Sequence, residues 1–121
     1  MDEIIQQAQK IVANLKDQNG KIKLTTTKLR KFLTAVNAIN NQLEAYQSQT
    51  GAGKALQQLP KDLADEIRYL EVKLAYESAR GQEVKDFINN AKLFDRIRAI
   101  GNNADKYREF AKLIEAIVAF H

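Results

Sequence analysis

Residues 21–47 read KIKLTTTKLRKFLTAVNAINNQLEAYQ. Leu29, Phe32, Leu33, Val36, Ile39, Leu43 and Tyr46 recur three and four residues apart, which is the spacing of one apolar helix face. The stretch predicts a helix from about Thr25 to Gln47. With Thr25 as its N-cap, Leu24 and Leu29 fall at the two positions of a hydrophobic staple, and Lys28 falls at N3. Arg30 and Lys31 follow within the next turn, and Lys21 and Lys23 precede the cap. No acidic residue lies between Asp17 and Glu44.

Four more helices follow by the same pattern. The first spans about 2–16, with Ile4, Ile5, Ala8, Ile11, Val12 and Leu15, and Asp17–Gly20 ends it. The third starts after Pro60 and reaches about Ala79. Gly81 breaks the chain before a fourth helix to about Ile100. Gly101–Asn103 turns it into a fifth, carrying Tyr107, Phe110, Ala111, Ile114, Ile117 and Val118. One proline and five glycines in 121 residues are sparse punctuation, which favours long helices over short strands. The expected architecture is all-α, a compact bundle of about five helices in a single domain, residues 1–121.

Composition narrows the function. There is no cysteine, so neither a disulfide nor a cysteine-type zinc site is available, and a reducing cytoplasm suits the chain. Met1-Asp-Glu enters an amphipathic pattern directly, unlike a signal peptide. No apolar run approaches the length of a membrane span. Net charge is +4, a mild basic bias that points to nucleic acid only where the charge is clustered.

It is clustered at the start of the second helix. Free backbone N–H groups and the helix dipole already make that end positive, so added cations cost a few tenths of a kcal/mol each. The third helix instead begins with Asp62, Asp65 and Glu66, the fourth near Glu83 and Asp86, and the fifth near Asp105. A helix start with hydroxyls, free N–H groups and basic side chains suits phosphate. The plainer reading is a solvated basic face. Thr27, Lys31, Thr34, Ala38, Asn41 and Ala45 oppose the apolar stripe, and small residues there admit a partner backbone. A second basic set comprises Arg68, Lys73, Arg80, Lys85, Arg96 and Arg98. Of these, Arg80, Arg96 and Arg98 sit near helix C-termini, where the dipole alone accounts for them.

The third helix is apolar on two sides. Leu63, Ile67, Leu70 and Leu74 form one stripe, and Tyr69, Val72 and Tyr76 nearly oppose it. The fourth carries Val84, Phe87, Ile88, Ala91 and Phe94 on one side, with Leu93, Ile97 and Ile100 on another. Such helices are either central in a bundle or part of an interface. Tyr69, Val72, Tyr76, Leu93 and Ile97 are the expected subunit-interface residues, although the two tyrosines also suit base stacking.

Catalytic chemistry finds no footing, and no catalytic residue, metal or cofactor is assigned. TGAGKA at 50–55 imitates a phosphate-binding loop, but Ser48 stands where the first glycine belongs and Ala55 replaces the magnesium-binding hydroxyl. His121 is the lone histidine and the last residue, a poor general base.

LTTTKLRKFL (24–33), IRYLEVKLAYESARGQEVKDFI (67–88) and FAKLIEAIVAF (110–120) occur in this order. Together they resemble the small subunit of the type III-A CRISPR–Cas effector, the Csm complex. The likeness covers the chain from about Lys21 onward. It departs in the first helix, in the loop 48–60, and in the end at Phe120-His121. The resemblance implies a non-enzymatic helical subunit with crRNA, target RNA and the other Csm subunits as partners. Copies of it would stack as an inner filament. Basic residues would hold the guide–target duplex through its backbone, without reading sequence. It carries RNA contact onto Lys28, Arg30, Arg68, Arg80 and Lys85, while Lys21, Lys23 and Lys31 rest on charge clustering. The alternative is a helical adaptor whose basic face meets a protein or an acidic membrane surface.

Overall fold

A computed structural model describes residues 2–50 and 57–121. The described residues form six helices: α1 (Asp2–Leu15), α2 (Thr26–Thr50), α3 (Lys61–Ser78), α4 (Gln82–Ala91), α5 (Leu93–Ile100) and α6 (Ala104–Phe120). The Lys54-containing imitation of a phosphate loop lies outside the described residues, apart from the backbone of Thr50.

α1 buries Ala8, Ile11 and Val12. It stops in a tight turn organised by Asp17, whose Oδ1 accepts from the backbone N–H groups of Asn19 (2.8 Å) and Lys21 (2.9 Å). Gly20 adopts φ +76°, the left-handed region that glycine enters without steric cost. Lys16 and Ile22 pair across this turn, so the approach to α2 is a closed hairpin-like link.

α2 starts as its sequence predicts. The Lys28 N–H donates to Thr25 Oγ1 at 3.2 Å, and the Leu29 N–H donates to the Thr25 carbonyl at 3.1 Å. Leu24 and Leu29 are both buried, completing the staple. The helix then runs three residues beyond Gln47, to Thr50.

Six helices stand where about five are expected, because the expected fourth helix is two. Lys92 adopts φ 54°, ψ 45° and separates α4 from α5. One continuous helix would point the Val84–Phe87–Ile88–Ala91 stripe and the Leu93–Ile97–Ile100 stripe in different directions. The break turns α5 so that both stripes enter one core, and all seven side chains are buried. Burying three large aliphatic side chains outweighs the roughly 1–2 kcal/mol of a non-glycine left-handed residue. This corrects the expectation for Leu93 and Ile97: both are fully buried in the protein's own core and are closed to a subunit interface.

The central helix is α6. It packs against α1, α2 and α5, and buries Tyr107, Phe110, Ala111, Leu113, Ile114 and Ile117. The Tyr107 hydroxyl donates to the Val36 carbonyl of α2 at 2.6 Å, and burial pushes this phenol well above its ordinary pKa. α3 packs against α2, α4 and α5 through Leu63, Ile67, Leu70 and Leu74. Its opposite side remains outside the core, so the central-helix reading of α3 does not hold. No polar or charged residue is buried among the described residues.

Candidate nucleic-acid interface at the start of α2

At the first turn of α2, the N–H groups of Thr26 and Thr27 precede any carbonyl their own helix supplies. Lys28 follows at N3, then Arg30 and Lys31, all exposed. Lys21 and Lys23 are exposed on the link just before the cap. The small-and-polar stripe of α2 (Thr27, Lys31, Thr34, Ala38, Asn41, Ala45) is exposed along its length.

Lys28 does not project freely. Its Nζ donates to Glu83 Oε1 at 2.8 Å. Among the described residues α2 and α4 have no close backbone approach, and this pair of long side chains bridges them. Glu83 sits in the first turn of α4, behind an N-cap (Gly81) that has no side chain to cap with. Its carboxyl is held below the usual range, first by the Lys28 hydrogen bond and then by a backbone hydrogen bond at its own residue, with the charge of Lys23 adding. The carboxylate folds back over Gly81, and a Cβ at that position would lie 2.5 Å from Oε1. Glycine therefore leaves the space in which Glu83 reaches Lys28.

This contact sets the start of α2 beside the α3–α4 corner. Arg80 immediately precedes Gly81 and Lys85 lies two residues beyond Glu83, and both are exposed. Of the neighbouring cations, Lys28 and Lys23 are the two whose charge acts on the Glu83 carboxylate. Arg68 stands apart. It precedes Arg80 by three helical turns, about 18 Å along α3. Its Nε lies 3.4 Å from Glu71 Oε1, and Arg98 Nε is 3.2 Å from the same residue's Oε2. Arg96 is spent on structure: its Nε donates to the Ala91 carbonyl at the end of α4 (2.7 Å) and its Nη1 donates to Gln7 of α1 (3.3 Å).

Tyr69, Val72 and Tyr76 are exposed by 56%, 53% and 64%, which removes the core reading for these three. Lys73 Nζ lies 5.9 Å from the centre of the Tyr69 ring, and the Arg80 guanidinium lies 5.7 Å from that of Tyr76.

Two contributors were hidden from sequence reasoning. Glu83 is one, since its first-turn position is fully explained by the helix dipole. The other is His121, whose Nε2 contacts the Leu24 carbonyl at 2.7 Å and whose Nδ1 contacts Thr26 Oγ1 at 3.3 Å. It ties the end of α6 to both sides of the α2 cap. Its position just after an amphipathic helix gave no hint of that contact. Among the described residues, no group of acidic or histidine side chains is placed to hold a metal, and no helix is long and apolar enough to cross a membrane.

A family model described as Csm2 Type III-A matches residues 1–121. A Mycobacterium tuberculosis (strain ATCC 25618 / H37Rv) protein named CRISPR system Cms protein Csm2 is 35% identical over 119 residues, covering 98% of this chain and 89% of that protein. An Enterococcus italicus protein of the same name is 35% identical over 101 residues, covering 80% of this chain and 65% of its own length. One from Streptococcus thermophilus is 25% identical over 105 residues, covering 87% and 76%.

Proposed function

The chain belongs to the type III-A Csm2 family and is a small subunit of a Csm complex; from that premise we propose that it holds the guide–target RNA duplex through the start of α2. The subunit takes no catalytic part. Its copies stack beside the crRNA-bearing subunits and present the α2 starts to the duplex. The observation that carries this reading is the capped, cationic start of α2, whose Lys28 meets Glu83 at the start of α4 with Lys23 close enough to act on the same carboxylate; Arg80 and Lys85, exposed on either side of Glu83 in the chain, are taken to join it. Arg30, Lys31 and Lys21 extend that surface. Phosphates and 2′-hydroxyls suit such a surface, and base pairing between guide and target supplies the sequence specificity. Arg68, engaged with Glu71 and distant from the junction, makes at most a separate contact.

The test is substitution of Lys28 and Arg30 together by alanine in the assembled complex. RNA binding weakens by a similar factor for every target sequence. The slope of log affinity against log salt becomes shallower by up to about two units. Unchanged affinity would remove this site from the RNA path. The exposed face of α3 suits a protein partner, which a stacking subunit needs in addition to its RNA.

A further inference from the structure

The first turns of α1, the end of α5 and the first half of α6 line a groove of about 330 Å³. Its floor is apolar, formed by Ile4, Ile100, Phe110 and Leu113, and the last three belong to the core. Its rim is charged, with Glu3 from α1, Arg96 from α5, and Lys106 and Glu109 from α6. Among the described residues these four make no ion pair, with one another or elsewhere.

Arg96 is the most exacting of the four, because it is half-buried. The two bonds that tie it into the fold both end on neutral acceptors, the Ala91 carbonyl and the Gln7 amide oxygen. A guanidinium has five N–H donors, and the others of Arg96 carry no hydrogen bond among the described residues. Burial lowers its pKa, and no neighbouring carboxylate raises it back. A cation drawn out of water without a counter-charge favours any anion that completes it.

The groove narrows the choice of anion. Glu3 and Glu109 stand on the same rim, so a nucleic-acid backbone, charged at every residue, would run against them. A single carboxylate beside an aliphatic side chain satisfies Arg96 and Lys106 and covers the floor, while the two glutamates stay in water. The position leaves the RNA surface free. Lys106 lies in the first turn of α6, whereas His121 at its other end touches the α2 cap, roughly 20 Å away along the helix.

We propose that this groove docks a neighbouring protein of the complex, taking a segment in which an aspartate or glutamate lies next to a leucine-sized apolar side chain. The carboxylate pairs with Arg96 and Lys106, and the apolar side chain lies on Ile4, Ile100 and Phe110. This rests on membership of a Csm complex and is independent of the RNA contact at α2.

The probe is a capped tripeptide of one aspartate and two leucines, titrated into the full-length protein and followed by amide NMR. Shifts are expected at Gln7, Ala99 and Leu113, and not at Lys28 or Leu29. The asparagine analogue should bind about tenfold more weakly, as loss of a charge-assisted bond predicts. Arg96→Gln should erase that preference. Ala99→Phe, at an exposed position on the groove, should fill it and abolish the shifts while the denaturation midpoint is kept. In the assembled complex the same variant should lower the retained subunit several-fold and leave the RNA affinity of the retained copies unchanged; the Lys28–Arg30 variant should do the reverse. The proposal is overturned by equal binding of the two peptides, or by full retention of Ala99→Phe in the complex. An RNA oligonucleotide that displaces the peptide and moves the same amides would also overturn it. So would movement of these amides on dilution of the free protein alone, which would make a second copy the occupant.

Discussion

Glu83 sets the terms on which Lys28 meets any other anion. Its carboxylate occupies one of the three donors of the ammonium at 2.8 Å, so a phosphate at Lys28 has to displace it or share. Replacing Glu83 by glutamine removes the competing charge and keeps the side-chain shape. The expected result is tighter RNA binding, by about 2–5-fold, in line with the modest worth of exposed ion pairs. A loss of affinity would mean that Glu83 orients Lys28 instead of restraining it. The pH dependence has a definite sign. The folded carboxyl titrates below the ordinary 4.5. The contact therefore contributes fully above the ordinary carboxylate range and is lost as pH falls below 4.5 through the lowered value. A carbon-detected NMR titration of Glu83 reads this directly, and a midpoint at or above 4.5 would contradict the bond. The cap itself was legible in LTTTKL, because capping and stapling are local: Thr25, Leu24 and Leu29 settle it among themselves. The Lys28–Glu83 bond spans 55 residues and depends on where α3 delivers α4, which no local pattern encodes.

At the scale of elements, periodicity located each helix but not the bend between α4 and α5. Lysine carries no left-handed preference, so nothing at position 92 marks a break. The only trace was a pair of apolar stripes pointing in two directions, and that trace read equally well as an interface. The two-sided helices thus resolve in opposite ways: α4–α5 folds its second stripe inward, while α3 leaves Tyr69, Val72 and Tyr76 outside. Ile97 is the residue that separates the cases. Ile97→Ala removes fully buried methylene groups and should destabilise the protein by about 2–5 kcal/mol in chemical denaturation. Tyr69→Ala, compared at a concentration dilute enough to keep the chain monomeric, should leave the denaturation midpoint nearly unchanged. If Ile97→Ala unfolds at the wild-type midpoint, α5 does not face the core.

Across the whole molecule, α6 organises the fold, with α1, α2 and α5 against it. Its far end closes on α2 through His121. His121→Ala removes the contacts to the Leu24 carbonyl and the Thr26 hydroxyl, and should lower stability by about 1 kcal/mol. Amide exchange at Lys28 and Leu29 should quicken more than exchange in the middle of α2. Uniform exchange along α2 would show that the cap stands without His121. The all-helical class and the lone basic helix start were legible because composition, punctuation and charge each pointed the same way. The meeting of Lys28 with Glu83, and the engagement of Arg68 with Glu71, needed the three-dimensional path of α3.

The contact from His121 to Leu24 joins residues 97 positions apart, which gives the molecule an order of completion during synthesis. α1, the link and α2 leave the ribosome early, with the helix start formed but its outer brace still unmade. That brace closes only when the end of α6 has been released and has docked. A nascent chain halted before α6 would therefore carry the cationic turn without this brace, and the surface proposed for RNA would become rigid only after α6 had docked.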